Sequence, residues 1–143
     1  MLPFLHNIAR SKVLNCYNCG MRSRHIFFLL AAFWAGLIAF LSSRTGAQTP
    51  PMPHPVDWVV HCGAFGVLSF LICLGFGDCR RAWIAVLMVS FFGASDEIHQ
   101  HFTPGRSCTA SDWLADTTGA LAAATGWWLA FRQGRMGAVS RHR

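Results

Sequence analysis

The stretch DEIHQHFTPGR, residues 96–106, decides how this chain can fold, because it places two acids and two histidines directly after a long apolar run. Ionisable side chains are costly at membrane depth, so a cluster of them there marks a candidate functional site. Asp112 and Asp116 follow soon afterwards, so most of the acidic residues of the chain lie in this one region. The stretch therefore predicts a polar site at one end of an otherwise apolar structure.

The composition indicates a chain whose surroundings are mostly lipid. Of its 143 residues, 53% are hydrophobic and only 13% are charged. Soluble domains carry roughly 25% charged residues, so an ordinary globular surface is excluded. The length leaves room for one domain at most.

Four apolar runs predict an all-α integral membrane bundle of four transmembrane helices. A spanning helix needs about 20 residues, and the first, second and fourth runs reach or approach this length. The third run reaches it only if its helix continues through Asp96 and Glu97. The runs are too long for strands and show no alternation of polar and apolar residues. They cover residues 26–41, 56–76, 82–95 and 113–131.

Charge predicts the orientation of these helices. Cytoplasmic loops carry the excess of Lys and Arg, and most of the 12 basic residues lie in the two termini and the second connection. Both termini are therefore predicted to be cytoplasmic, and the net charge of +6 reflects topology, with no nucleic-acid partner predicted. The basic residues on the predicted inner side are Arg10, Lys12, Arg22, Arg24, Arg80, Arg81, Arg132, Arg135, Arg141 and Arg143. The acids predicted to lie toward the outer side are Asp57, Asp96, Glu97, Asp112 and Asp116.

The topology divides the chain into three segments. They are an N-terminal cytoplasmic extension at residues 1–21, a membrane domain at residues 22–131 and a basic cytoplasmic tail at residues 132–143. Met21 is an alternative start, in which case the extension is not translated. The first run also fits a signal peptide cleaved near residues 45–47, although it is longer than the usual apolar region of one. Cys16 and Cys19 have the spacing of half a zinc site.

Helix geometry predicts that ionisable residues of three helices meet at one level. At about 1.5 Å per residue, Glu97 and Asp116 each lie about 24 Å from the basic inner end of their helix, and His61 lies about 28 Å from it. Asp57 lies one turn from His61 on the same face. The pattern predicts a tight bundle that opens into a polar, outward-facing cavity. Close packing below this level is allowed by small residues, namely Gly63, Gly66, Gly119 and Ala123.

The connection after the third helix carries a positively charged side chain. Residues 103–105, Thr-Pro-Gly, predict the end of that helix. Arg106 is then placed to fold back over the acids, where its guanidinium suits a carboxylate or a phosphate. An ion pair of Arg106 with Glu97 or Asp112 that only joins two helices is an open alternative.

Two of the acids also have simpler explanations. Asp57 follows Pro55 at the start of the second helix, and Asp112 opens the fourth helix one turn before Asp116. The helix dipole favours acids at both places. Thr109 and Asp112 also have the spacing of a capping box.

Three ordered blocks of polar residues and glycine run through the predicted outer half of the bundle. They are Asp57-x-x-x-His61, Glu97-x-x-Gln100-x-Phe102-x-Pro104-Gly105-Arg106-Ser107 and Asp112-x-x-x-Asp116-x-x-Gly119. Together they resemble the VanZ-like family, small bacterial membrane proteins named after an accessory teicoplanin-resistance protein. The family often has Lys after the first acid and Asn at the last, where this chain has Trp58 and Asp116. The resemblance implies a multi-pass protein of the bacterial plasma (inner) membrane, linked in some members to glycopeptide tolerance.

The predicted cavity supports two functional interpretations. In the first, it binds or modulates a cell-envelope component, a lipid headgroup or a cell-wall precursor, and contributes to teicoplanin tolerance. In the second, the chain is a membrane-embedded hydrolase or transferase for a lipid-linked substrate, with Glu97 as general base, His61 as proton shuttle and Arg106 as charge stabiliser. The candidate catalytic residues are Glu97 and His61, and the candidate binding residues are Asp57, His61, Glu97, Gln100, Arg106, Ser107, Asp112 and Asp116.

Metal and cofactor chemistry has less support in the sequence. The pattern His-Glu-x-x-His is absent, and Glu97 with His101 gives only two ligands on one helix face. No metal or cofactor is predicted, and a metal held by His61 and carboxylates is kept as a variant of the enzymatic interpretation. A third interpretation is a polar cluster that only fixes helix register. The lipid bilayer is the predicted environment, and pairing of the chain with itself is an open alternative.

Overall fold

The computed structural model describes residues 24–47, 55–106 and 109–140, and these residues form four α-helices and no β-strand. Helix α1 spans Arg24–Ser42, α2 spans Val56–Phe76, α3 spans Ala82–His101 and α4 spans Ala110–Ser140, and a short 3-10 turn at Cys79–Arg81 precedes α3. The all-α prediction is confirmed, and each predicted apolar run lies within one helix. Cys16, Cys19 and Met21 lie outside the described residues.

Helix α3 continues past its apolar run, as the prediction required. It runs through Asp96 and Glu97 and ends at His101, after which the N–H of Phe102 donates to the carbonyl of His99 at 3.1 Å. Gly105 then adopts a φ of 76°, a left-handed conformation that glycine reaches without a Cβ clash. The predicted helix end before residues 103–105 is confirmed, and the two acids project from the last turns of α3.

The end of the bundle opposite to these acids is basic. Gly77 closes α2 with a φ of 60°, and its N–H donates to the carbonyl of Cys73 at 3.0 Å. Asp78 then accepts a hydrogen bond from the N–H of Arg80 at 3.0 Å, which starts the short turn into α3. The guanidinium of Arg24, at the start of α1, lies beside Gly77. Arg24, Arg80 and Arg81 therefore lie at the end of the bundle opposite to Asp96 and Glu97.

Helix α2 lies at the centre of the described bundle and packs against the other three helices. The indole N–H of Trp34 in α1 donates to the carbonyl of Ala64 in α2 at 2.9 Å. The hydroxyl of Ser69 in α2 donates to the carbonyl of Ala120 in α4 at 3.0 Å. The apolar core between the helices is formed by Ala31, Ile38, Phe65, Leu68, Ile72, Cys73, Ala82, Ala85, Val89, Ala120 and Ala124. Small side chains dominate this set, and they let the helices pack closely.

The contact between α2 and α4 is closest at Gly119. A Cβ atom on Gly119 would overlap with the carbonyl group of Cys62, and a Cβ on Gly66 would lie 3.3 Å from the carbonyl oxygen of Gly119. The predicted close approach at Gly119 and Gly66 is therefore confirmed. The prediction was wrong for Gly63, which faces outward, so that a Cβ atom on it would meet no other atom within 4 Å.

The outward faces of the bundle are apolar. Leu29, Phe33, Val59 and Phe91 are each at least two-thirds exposed, with Phe91 at 79%. A lipid environment removes the cost of exposing such large apolar side chains. By length and composition, α1 and α2 are each capable of crossing a membrane. The described residues thus support two membrane-spanning helices, and the other two spans stay a prediction.

Two connections meet above the acidic end of the bundle. The N–H of Gly46, after α1, donates to the carbonyl of Pro104, after α3, at 3.1 Å. A Cβ atom on Gly46 would overlap with the backbone of Gly105. The connection after α1 is therefore joined backbone-to-backbone to the turn that carries Arg106.

We expect Gly119→Ala to destabilise the bundle, with Gly126→Ala as its control in the same helix. The first substitution forces α2 and α4 apart, and overpacking of this kind costs typically about 1–3 kcal/mol. Gly126 has open space at its Cβ position, so alanine there should be neutral or stabilising by up to about 1 kcal/mol. Thermal unfolding of the purified proteins in detergent measures both effects. Equal melting temperatures for the two variants would contradict the packing described here.

Candidate functional site

The acidic end of the bundle brings together polar side chains from all four helices. Helix α2 contributes Asp57 and His61 from its first turns, and α4 contributes Asp112 and Asp116 from its first turns. Glu97 enters from the end of α3 and is buried. The level predicted from helix rise for His61, Glu97 and Asp116 is therefore confirmed. We call these five side chains the acidic cluster.

His61 and Asp116 form the hydrogen bond at the centre of the acidic cluster. Nδ1 of His61 lies 2.9 Å from Oδ1 of Asp116, and Nε2 of His61 lies 3.9 Å from Oδ1 of Asp57. Asp116 is only 1% exposed. A Cβ atom on Gly93 would lie 2.9 Å from Oδ2 of Asp116, so the glycine in α3 leaves the space that this carboxylate occupies. Asp57 is the most exposed of the three partners, and it gives the pair an acid on its solvent side.

Glu97 joins the end of α3 to the start of α4. Its Oε2 accepts a hydrogen bond from the N–H of Thr109 at 2.9 Å. The predicted capping box of Thr109 and Asp112 was therefore wrong, because the N–H that Asp112 was expected to bind is bound by Glu97. The N–H of Asp112 instead donates to the carbonyl of Thr109 at 3.1 Å. The side chain of Asp112 is consequently left to face the cluster rather than to cap its own helix.

Three carboxylates of the cluster each keep a buried oxygen without a hydrogen-bond partner among the described residues. The atoms are Oε1 of Glu97, Oδ1 of Asp112 and Oδ2 of Asp116, on residues that are 4%, 6% and 1% exposed. Buried carboxylate oxygens are normally hydrogen-bonded, and leaving one unpaired is costly. These oxygens are therefore available to bind a ligand.

A second network of hydrogen bonds runs from α1 to the connection after α3. The hydroxyl of Ser42 donates to Oδ2 of Asp96 at 2.6 Å, and Nε2 of Gln100 donates to the same oxygen at 3.0 Å. Nη2 of Arg106 in turn donates to Oε1 of Gln100 at 3.1 Å. Ser42, Asp96 and Gln100 are buried, so this network fixes both the end of α1 and the position of Arg106.

Arg106 differs from the structural ion pair considered as an alternative. Within residues 24–47, 55–106 and 109–140, no salt bridge joins it to Glu97 or Asp112, and its described partner is the neutral amide of Gln100. Its guanidinium is half-buried. The positive charge is therefore not neutralised by a described carboxylate, which leaves it able to bind an anionic ligand.

Sequence reasoning missed Ser42 and did not assign Asp96 to the site. Serine is common at helix ends and gave no signal, whereas Asp96 directly precedes Glu97 and was counted only as an outer acid. Ser107, a predicted binding residue, lies outside the described residues, as does Cys108. The remaining predicted binding residues all lie at the acidic end of the bundle, where their roles in binding stay predictions.

The two histidines beyond Glu97 point away from the acidic cluster. Both His99 and His101 are exposed. Nε2 of His99 lies 3.0 Å from the hydroxyl of Ser43, and His101 contacts the ring of Phe102 edge-on at 5.5 Å. Neither histidine therefore belongs to the acidic cluster.

An apolar groove of about 700 Å³ lies between α2 and α4 next to the acidic cluster. Two of its lining residues, Cys62 and Ala115, are chain neighbours of His61 and Asp116. Trp58, Val59 and Leu114 line the same groove and are exposed on the outer face of the bundle. A polar cluster and an apolar groove thus lie side by side at one end of the bundle.

The fold and the site define a small helical bundle with apolar outer faces and one buried, acid-rich end. The chain belongs to the VanZ/LLP1 family, because the model of that family matches residues 26–131. This confirms the family resemblance of the three sequence blocks, and the matched segment contains the whole acidic cluster. The chain shows no match to curated proteins or to solved structures.

We expect Ser42→Ala to destabilise the protein much more than Ser43→Ala. The first change removes a buried hydrogen bond to the carboxylate of Asp96, and hydrogen bonds to charged groups contribute about 1.5–3 kcal/mol. Ser43 is exposed, so water replaces its contacts with Ala39 and His99. Thermal unfolding of the two variants in the same detergent measures the difference. Equal losses of stability would show that the Ser42–Asp96 hydrogen bond contributes no more to the free energy of unfolding than the exposed contacts of Ser43.

Proposed function

We propose that this VanZ/LLP1-family protein crosses the bacterial plasma membrane with four helices and binds a phosphate-bearing envelope lipid at an outward-facing polar end. The observation that carries the proposal is the apolar groove beside the acidic cluster, at the same end of the bundle as Arg106. A lipid presents the matching pair of features, an apolar chain and a polar headgroup. Lipid headgroups and lipid-linked cell-wall precursors share this chemistry.

Arg106 is the proposed contact for the phosphate. A guanidinium binds phosphate oxygens with two parallel hydrogen bonds, and such charge-assisted bonds are strong in surroundings of low polarity. Among the described residues, only Gln100 holds the side chain, through one nitrogen, so the rest of the guanidinium has donors to offer a ligand. The hydroxyls or amines of a headgroup would meet the unpartnered oxygens of Glu97 and Asp112.

The basic end of the bundle supports the proposed orientation. Arg24, Arg80 and Arg81 lie at the end opposite to the acidic cluster. Basic residues favour the cytoplasmic side, so the acidic cluster would face outward, where cell-wall precursors are used. A protein that binds such a precursor would reduce the access of a glycopeptide to it, which is the proposed link to teicoplanin tolerance.

We expect Arg106→Ala to weaken lipid binding at least about tenfold, which corresponds to about 1.4 kcal/mol. Arg44→Ala is the control, because Arg44 is an exposed arginine at the same end of the bundle whose guanidinium lies 5.4 Å from the ring centre of Phe40. Binding is measured with the purified proteins and phosphatidylcholine vesicles that contain either phosphatidylglycerol or a polyisoprenyl phosphate. A preference for one of the two separates a membrane-lipid headgroup from a cell-wall precursor. Equal binding by both arginine variants would contradict the assigned role of Arg106.

Teicoplanin susceptibility tests the physiological part of the proposal. We expect a glycopeptide-sensitive Gram-positive host to become more tolerant when it expresses the wild-type chain, and to lose this protection with Arg106→Ala but not with Arg44→Ala. Membrane levels of the three proteins are matched by immunoblot. Absence of protection by the wild type would separate this chain from the resistance role, while the vesicle experiment would still test lipid binding.

One observation favours the enzymatic alternative. The hydrogen bond that Oδ1 of Asp116 accepts from Nδ1 of His61 orients the imidazole in the way that a carboxylate orients a catalytic histidine. In a hydrolase, Glu97 would take the proton of an attacking water, and His61 would return a proton to the leaving alcohol. Turnover of the polyisoprenyl phosphate that is lost in Glu97→Gln, while vesicle binding persists, would support this alternative.

A further inference from the structure

The acidic cluster holds more negative charge than its described partners offset. Asp57, Glu97, Asp112 and Asp116 converge there, and within the described parts of the chain the ion pairs recorded for them come only from His61. A buried carboxylate is costly unless it is paired or binds a metal. The missing counter-charge indicates that the cluster takes a cation.

The free oxygens point to the same conclusion independently of the charge count. Glu97, Asp112 and Asp116 are each more than nine-tenths buried, and each keeps one carboxylate oxygen without a hydrogen-bond partner in the described residues. Asp96, the one other buried carboxylate among the described residues, differs from them, because it accepts hydrogen bonds from Ser42 and Gln100. Unpartnered oxygens are therefore concentrated in the acidic cluster.

The geometry suits a metal ion. One ligand atom from each of His61, Glu97 and Asp116 lies within 4.8 Å of the other two. Four ligands at about 2.1 Å around a tetrahedral ion are roughly 3.4 Å apart. Nδ1 of His61 lies 2.9 Å from Oδ1 of Asp116, so the ion would replace the proton of that hydrogen bond. We propose that His61, Glu97 and Asp116 bind one divalent cation of the Zn²⁺ or Mn²⁺ class. Imidazole with carboxylates is the ligand set of these ions.

A second group of ligand atoms, from Asp57, His61 and Asp112, shares the imidazole with the first. We assign the cation to the first group because both of its acids are almost fully buried and both keep a free oxygen. Asp57 has a side chain that is 24% exposed, so water offsets part of its charge. A carboxylate oxygen of Asp112 lies within 4.8 Å of a ring nitrogen of His61.

The cation would also resolve a conflict at the proposed binding site. An anionic headgroup beside Arg106 is repelled by the nearby acids, and a divalent ion among them reverses part of that field. This role for the cation rests on the proposed function. The binding of the cation does not, because it is argued from the carboxylates alone.

The test uses the full-length protein in detergent, stripped with a chelator and titrated with Mn²⁺ under electron paramagnetic resonance. Mn²⁺ is the probe because thiolates and exposed histidines hold it weakly, and Zn²⁺ is then added as a competitor. We expect one Mn²⁺ per wild-type chain, displaced by Zn²⁺, and binding at least about tenfold weaker in Glu97→Gln. Asp78→Asn is the matched control, because it removes a carboxylate at the opposite end of the bundle.

Glu97→Gln is chosen because glutamine keeps an oxygen for the N–H of Thr109, so the α3–α4 junction is retained. Circular dichroism and gel filtration check the fold, and Asp116→Asn serves as a second variant that is expected to lose binding as well. Equal Mn²⁺ binding in all the proteins, or none in the wild type, overturns the cation site. Loss of binding in Asp57→Asn but not in Glu97→Gln overturns the assignment to the first group.

Failure of the cation site and failure of the proposed function are distinguishable on the same preparations. If the wild type binds no Mn²⁺ while the vesicle assay still separates Arg106→Ala from Arg44→Ala, the cation site is wrong and lipid binding stands. If Glu97→Gln weakens Mn²⁺ binding while Arg106→Ala and Arg44→Ala bind vesicles equally, the cation site stands and the proposed lipid binding is wrong.

Discussion

The close contact of α2 and α4 at Gly119 governs the rest of the structure. Asp116 lies one helical turn before Gly119, and His61 is the chain neighbour of Cys62, whose carbonyl group faces that glycine. The distance between the helix axes therefore decides whether His61 and Asp116 can form a direct hydrogen bond. A side chain at residue 119 would separate the pair that lies at the centre of the acidic cluster. Packing and site chemistry thus depend on the same small residue.

Much of this architecture could be predicted from the sequence, because helix rise is constant and apolar runs are visible. Val56–Phe76 matches its apolar run, and α3 continues through Asp96 and Glu97 as predicted. Side-chain partners could not be predicted in the same way. Thr109 was expected to pair with Asp112, yet its N–H binds Glu97, because tertiary packing brings a better acceptor to the start of α4. Gly63 shows the same limit, since a small residue allows close packing without requiring it.

The polar end combines two kinds of environment. A series of hydrogen bonds joins α1, α3 and the following connection into a fixed support; it runs through Ser42, Asp96, Gln100 and Arg106. The acidic cluster beside it keeps free carboxylate oxygens. Fully paired polar groups stiffen a structure, whereas unpaired ones mark the places where a ligand lowers the free energy most. Ser42, Asp96 and Gln100 thus hold the site, the acidic cluster keeps free oxygens, and Arg106 is held by the first group while it faces the proposed ligand.

The backbone contact between Gly46 and the Pro104–Gly105 turn bears on how this family member can change over evolutionary time. A side chain at Gly46 would overlap with the backbone of Gly105, and Gly105 itself has a φ of 76°, so an insertion or a bulky residue in one connection must be matched by a shift in its neighbour. Surface loops of most proteins drift freely in length and sequence. Here the two would be expected to vary as a pair, and a chimera that exchanges only one of them with a relative would carry a mismatch directly above the acidic cluster.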